Sequence, residues 1–131
     1  MKSKQIWANF SVKDAKRTNE FYTKLGFKSN TPPKGDSELA SFFFGEDNFV
    51  MHFFEQGSRI DDFFPSGSKT DEIVFTLSAD TEIEVQEFEI KVKEAGGEIF
   101  KKLRRDENNY YGFAFGDPDG HKFNVLLMDN M

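Results

Sequence analysis

The chain runs twice through one order of patterns, and that internal duplication limits the folds open to it more than any single motif does. From Gln5 to Val12 the apolar Ile6, Ala8, Phe10 and Val12 alternate with Gln5, Trp7, Asn9 and Ser11. This is the period of a strand with one buried face. Asp14 stands where a helix N-cap belongs, ahead of Ala15, Thr18, Phe21, Tyr22 and Leu25, and Gly26 is placed to close the helix. A short strand near Phe27, a Pro-Pro-Lys-Gly loop, a strand near Leu39 to Phe44, a turn from Gly45 to Asn48 and a strand from Phe49 to Glu55 follow. The order is β-α-β-β-β.

The same order starts again at Glu72, after a polar stretch from Gln56 to Thr70. Ile73, Phe75 and Leu77 alternate with Glu72, Val74, Thr76 and Ser78, and Thr81-Glu-Ile-Glu84 reads as a capping box opening a second helix. That helix ends at Ala95-Gly96-Gly97; a strand from Glu98 to Leu103, a loop rich in charge and Asn, and a hairpin across Asp117-Pro-Asp-Gly120 complete the second β-α-β-β-β. The expected fold class is therefore α+β, with two βαβββ modules in tandem. The first module is expected over 1–56 and the second over 70–131, joined by 57–69 as a linker or as a lid carrying Phe63 and Phe64.

At 131 residues the chain suffices for one ordinary domain with a real core. Seventeen Phe predict an aromatic interior. A net charge of −6 argues against nucleic acid and against an anionic membrane surface, since both need clustered cations. No stretch approaches the ~20 apolar residues of a membrane span, and the opening MKSKQIWANF has no signal-peptide core. With no cysteine, disulfides and thiolate zinc sites are excluded. A cytoplasmic location is the expectation.

The pleat assigns faces. Helices must cover the apolar sides of their strands, which leaves Trp7, Asn9 and Ser11, then Glu72, Val74, Thr76 and Ser78, on the opposite sides. In the fourth and eighth strands, Phe49, Met51, Phe53 and Phe123, Val125, Leu127 are the more apolar sets. Val50, His52, Phe54 and Lys122, Asn124, Leu126 are left for the open face. Periodicity thus predicts Trp7, His52, Glu72 and Asn124 at equivalent points on four central strands. His121 falls on the helix-covered side, where its role is structural.

The strings VKDAKRTNEFYTKLGF, KEAGGEIF and YGFAFGDPDGHKFNVLLM resemble the first helix, second-helix exit and final hairpin of the glyoxalase, bleomycin-resistance and extradiol-dioxygenase superfamily, the vicinal-oxygen-chelate proteins. The resemblance spans nearly the whole chain. It implies curled mixed sheets around a shared cleft, often completed as a homodimer. It also implies that metal-dependent relatives carry His, Glu or Gln at the four strand positions that here read Trp7, His52, Glu72 and Asn124. Only His52 and Glu72 keep the expected type, and a catalytic divalent metal usually needs about three protein ligands. No cofactor is favoured; Zn, Ni, Fe or Mn on His52 and Glu72 is the alternative.

Two functions stay open. In one, the cleft binds a small, partly aromatic or cationic molecule, lined by Trp7, Asn9, Val50, Phe54, Val74, Tyr111, Asn124 and Leu126 and closed by Phe63 or Phe64. Glu72 would suit a cationic group, as in the drug-sequestering branch. In the other, the protein is a lyase, isomerase or extradiol-dioxygenase-like enzyme. His52 and Glu72 then form a catalytic pair, holding a metal or transferring a proton. A third possibility is a cleft plugged by Trp7 and Phe54, with function confined to a dimer surface.

Overall fold

The structure, a computed structural model, describes residues 1–31, 38–64 and 72–128. The Pro-Pro-Lys-Gly loop, the 65–69 part of the expected linker and the first two residues of the expected second module lie outside the described residues. The chain divides into two compact units, Met1–Lys69 and Thr70–Met131.

The first unit contains β1 (Trp7–Val12), α1 (Ala15–Lys24), β2 (Lys28–Ser29), β3 (Leu39–Phe44) and β4 (Phe49–Glu55). Its four-stranded sheet has the order β1-β4-β3-β2, with β1 parallel to β4 and the other pairs antiparallel. Asp14 caps α1 as its position predicts: Oδ1 accepts from the backbone N–H groups of Lys16 and Arg17 at 3.0 and 3.2 Å. Glu55, at the end of β4, accepts from the Ala15 N–H at 2.9 Å and fastens the helix start to the sheet.

Phenylalanine builds the core as composition predicts. Tyr22 on α1 is fully buried and stacks on Phe53 at 4.8 Å between centroids, with Phe42 at 5.6 Å and Phe44 at 5.7 Å around it. Such offset and edge contacts add to the area the rings withdraw from water. Beyond β4, a 3-10 helix at Arg59–Asp62 packs on β1 and β4, anchored by buried Ile60.

The second unit repeats the plan with β5 (Val74–Ala79), α2 (Glu82–Ala95), β6 (Glu98–Arg105), β7 (Tyr111–Gly116) and β8 (Lys122–Leu127), in the sheet order β5-β8-β7-β6. The capping box forms. Thr81 Oγ1 accepts from the Glu84 N–H at 3.1 Å, and Glu84 Oε1 accepts from the Asp80 N–H at 2.9 Å. Gly96 ends α2 at φ 97°, a left-handed conformation that suits a residue without Cβ. Phe88 of α2 meets Phe113 and Phe115, and Phe115 stacks on Phe123 at 5.1 Å.

Three strand boundaries differ from the sequence expectation, the first being β1, which begins at Trp7 and not at Gln5. β5 begins at Val74, not at Glu72, because its parallel partner begins at Lys122. Any partner for Glu72 or Ile73 would lie in the preceding turn, where the backbone offers no ladder. β6 continues to Arg105, past Leu103, with register shifts between Ile99 and Lys101 and between Lys101 and Arg104. The extension takes in Arg104 and Arg105, which the sequence places in the charged loop, while the bulges fall within the expected strand.

The turn before β8 is built by Asp117. Its Oδ1 accepts from the backbone N–H groups of Asp119 and His121, and its Oδ2 lies 2.7 Å from His121 Nδ1. His121 is buried in this arrangement.

Candidate functional site in the first module

The parallel ladder of β1 and β4 fixes which side chains share the open face. Trp7 lies opposite Val50, Asn9 opposite His52 and Ser11 opposite Phe54. Burial alternates accordingly: Met51 and Phe53 are enclosed beneath α1, while Val50, His52 and Phe54 are half-buried on the other side. Trp7 and His52, two residues out of register with each other, therefore lie on a diagonal.

These residues border a hollow of about 530 Å³ whose walls include Trp7, Asn9, His52, Phe54, Arg59 and Phe64. Leu39, Ile60 and Phe63 complete it. Phe63 is 77 % exposed and Phe64 half-buried, so the pair reaches the hollow from its rim rather than from the core. Trp7, Val50 and His52 also border a neighbouring hollow of about 630 Å³ along the same face. Trp7, 51 % exposed, stands at both, so within this unit it does not plug the face.

His52 is the polar centre of this wall. Among the described residues its Nδ1 has no hydrogen-bond partner although it is sealed from solvent, and the neighbouring Ser11 Oγ is in the same condition. Its ring meets Phe54 at 5.8 Å with the planes 62° apart. Burial lowers its pKa below the ordinary histidine value, and the positive charge of Arg59 lowers it further. His52 is thus a neutral imidazole at pH 7, one ring nitrogen donating and the other accepting. Arg59 holds its guanidinium over Phe54, 5.0 Å from the ring centroid.

In the second unit Asn124 lies opposite Thr76 on one side and Ala114 on the other. Asn124 and Leu126 border a hollow of about 330 Å³ with Lys101, Lys102, Arg104 and Tyr110. Tyr111 is engaged elsewhere: its hydroxyl accepts from Gln86 Nε2 at 3.0 Å, and Arg105 lies over its ring at 5.3 Å. Val74 is an exposed strand residue. Glu72 is exposed and lies ahead of β5, so it shares no ladder row with Asn124. The register equivalence expected for Trp7, His52, Glu72 and Asn124 is replaced by Asn9 with His52 and Thr76 with Asn124.

That replacement bears on metal. The paired positions supply one imidazole and one amide in the first unit and one hydroxyl and one amide in the second, whereas divalent metals of this class are held by several imidazole or carboxylate donors. The described residues contain no group of three or more His, Cys, Asp or Glu side chains able to hold a metal ion. Taken by itself, neither unit's described open-face pair makes up such a set.

Arg59, Lys101, Lys102 and Arg104 are among the hollow-bordering charges that sequence patterning missed. Arg59 lies in a stretch with no strand period, and the two lysine- and arginine-bearing rows depend on the β6 bulges. The only signal for Arg59 was its position beside apolar Ile60 in an otherwise polar segment.

The chain belongs to the Glyoxalase/Bleomycin resistance protein/Dioxygenase superfamily, whose profile matches residues 4–125. It is similar in structure to a hypothetical protein from S. aureus at 29% identity and a TM-score of 0.83, covering 97% of this chain and 95% of that one. A glyoxalase-related enzyme from Fulvimarina pelagi is similar at 17% identity and a TM-score of 0.76, over 95% of this chain and 88% of that one. A genomically encoded fosfomycin resistance protein from Listeria monocytogenes shows 17% identity and a TM-score of 0.72, over 100% and 95% of the two chains. No curated protein matches significantly by sequence. Among the described residues, no helix is long and apolar enough to cross a membrane.

Proposed function

We propose that the protein is a small-molecule-binding member of its superfamily, and that the hollow around His52 in the first module holds a partly aromatic ligand. The observation that carries this reading is the hollow itself, in which the imidazole of His52 is set among Trp7, Phe54 and the rim residues Phe63 and Phe64. Apolar walls with few polar points are the usual form of such pockets.

A cationic ligand is not supported by this hollow. Its lining includes no carboxylate among the described residues, and it includes Arg59. Glu72, the acid expected to meet a cation, is an exposed residue of the other unit. Metal-assisted lyase or dioxygenase chemistry through His52 and Glu72 likewise finds no group of three ligating side chains among the described residues to support it.

Trp7 is the one tryptophan and borders the hollow, so its fluorescence reports occupancy directly. A panel of small aromatic compounds is expected to quench or shift that emission and to raise Tm as ligand exceeds Kd. Loss of both responses in Phe54→Ala, with the fold retained by circular dichroism, assigns the site. A panel that moves neither the emission nor Tm overturns the reading. Homodimer formation belongs to the same proposal and is checked by light scattering of the purified chain.

A further inference from the structure

The ligand class follows from Arg59, on the premise that the hollow around His52 is the binding site. We infer that the hollow takes an aromatic acid, its ring among Trp7, Phe54 and Phe64 and its carboxylate on Arg59 and the imidazole of His52.

Arg59 is set apart from the arginines of β6. Arg104 pairs with Glu107 at 3.6 Å and Arg105 with Glu82 at 3.4 Å. Arg59 has no carboxylate within salt-bridge distance among the described residues; its recorded neighbour is the face of Phe54. The adjacent acid Asp61 is turned back on its own loop, where Oδ2 accepts from the Gly57 N–H at 3.0 Å. In a chain of net charge −6, a guanidinium that no described carboxylate neutralises, at the mouth of an aromatic hollow, is suited to anchor an anion.

Position is also fixed. Ile60 is 3 % exposed and pins the 3-10 helix onto β1 and β4, so the preceding residue is held at the hollow and does not swing with a loop. A guanidinium presents paired donors that match the two oxygens of a carboxylate, and such bonds are about twice as strong as neutral ones. The contact with Phe54 places the guanidinium over the aromatic wall on which the ligand would lie. His52 contributes one ring N–H to the second carboxylate oxygen or to a neighbouring polar group, and no proton transfer is required. A ligand ammonium would instead meet Arg59 with like charge.

The test uses three probes of one shape: 1-naphthoate, its neutral amide and 1-naphthylmethylamine. Calorimetry and Trp7 emission are read on the native chain, Arg59→Gln and Arg59→Lys. The acid is expected to bind at least about 10-fold tighter than the amide. Arg59→Gln is expected to weaken the acid by about 10-fold or more and the amide by less than about 2-fold, with Arg59→Lys between. Equal binding of acid and amide, stronger binding of the amine, or an acid affinity indifferent to Arg59→Gln each overturns the inference while leaving the hollow as a binding site. Absence of any response from all three probes sinks both.

Discussion

Asn9 and His52 face each other across the parallel ladder of β1 and β4, and Thr76 and Asn124 do the same across β5 and β8. The two modules therefore present matched rows, but only the first carries a titratable group. Its chemistry is that of one neutral imidazole among aromatic rings, with a guanidinium beside it.

The environment of His52 predicts a titration. With two histidines in the chain, both imidazoles can be followed by NMR. His52 should titrate below about 6.5. Arg59→Gln should move its midpoint upward, because it removes one of the two causes of the depression. An unchanged midpoint would refute the electrostatic link.

The same depression fixes the sign of a pH effect on stability. Between the folded midpoint of His52 and the ordinary histidine value, the unfolded chain binds more protons, so stability falls as pH drops through that window. Above about 6.5 the contribution is fully present. Chemical denaturation of the native chain and His52→Gln should diverge in pH dependence across this window, the variant being the flatter of the two.

Asp117 should be worth more to stability than any exposed ion pair. Its carboxyl makes bonds of 3.0, 2.9 and 2.7 Å to the turn backbone and to His121. Asp117→Ala leaves those buried donors unmatched and should lower stability by about 3 kcal/mol or more, read as a drop in denaturation midpoint. The exposed pair Arg104 and Glu107 should contribute less than about 1 kcal/mol when either is neutralised.

Gly112 should tolerate no side chain. A Cβ there would overlap the carbonyl oxygen of Val125 on the adjacent strand, and backbone atoms cannot step aside cheaply. Gly112→Ala is expected to cost roughly 2 kcal/mol or more, or to abolish soluble expression, whereas Thr81→Ala should cost about 1 kcal/mol through loss of a helix cap. Parallel thermal melts of the two variants decide the order.

Much of this fold was legible because its determinants are local. Period-two alternation gave β1, β4 and β8 their faces, Asp14 and Thr81 marked helix starts, and the duplication supplied the order of elements. Register was another matter. Glu72 continues the alternation of Ile73 to Ser78, yet its ladder partner would fall in the Asp117 turn, and only the pairing reveals that β5 starts at Val74. Lys101 and Arg104 reach ladder positions through bulges that no periodicity encodes. Arg59 lies on one short turn of helix, too brief for any pattern to display a face.

The irregular β6 has one more effect. It is the longest strand, with eight residues, and it forms an outer edge of its sheet, so half of its backbone groups face away from β7. A flat edge of that length would template pairing with other chains. Two interruptions of register and the run Lys101, Lys102, Arg104 and Arg105 break that template and surround it with like charge. Three of these cations, Lys101, Lys102 and Arg104, also border the second hollow, so the features that shape its wall leave this edge a poor template for a further strand.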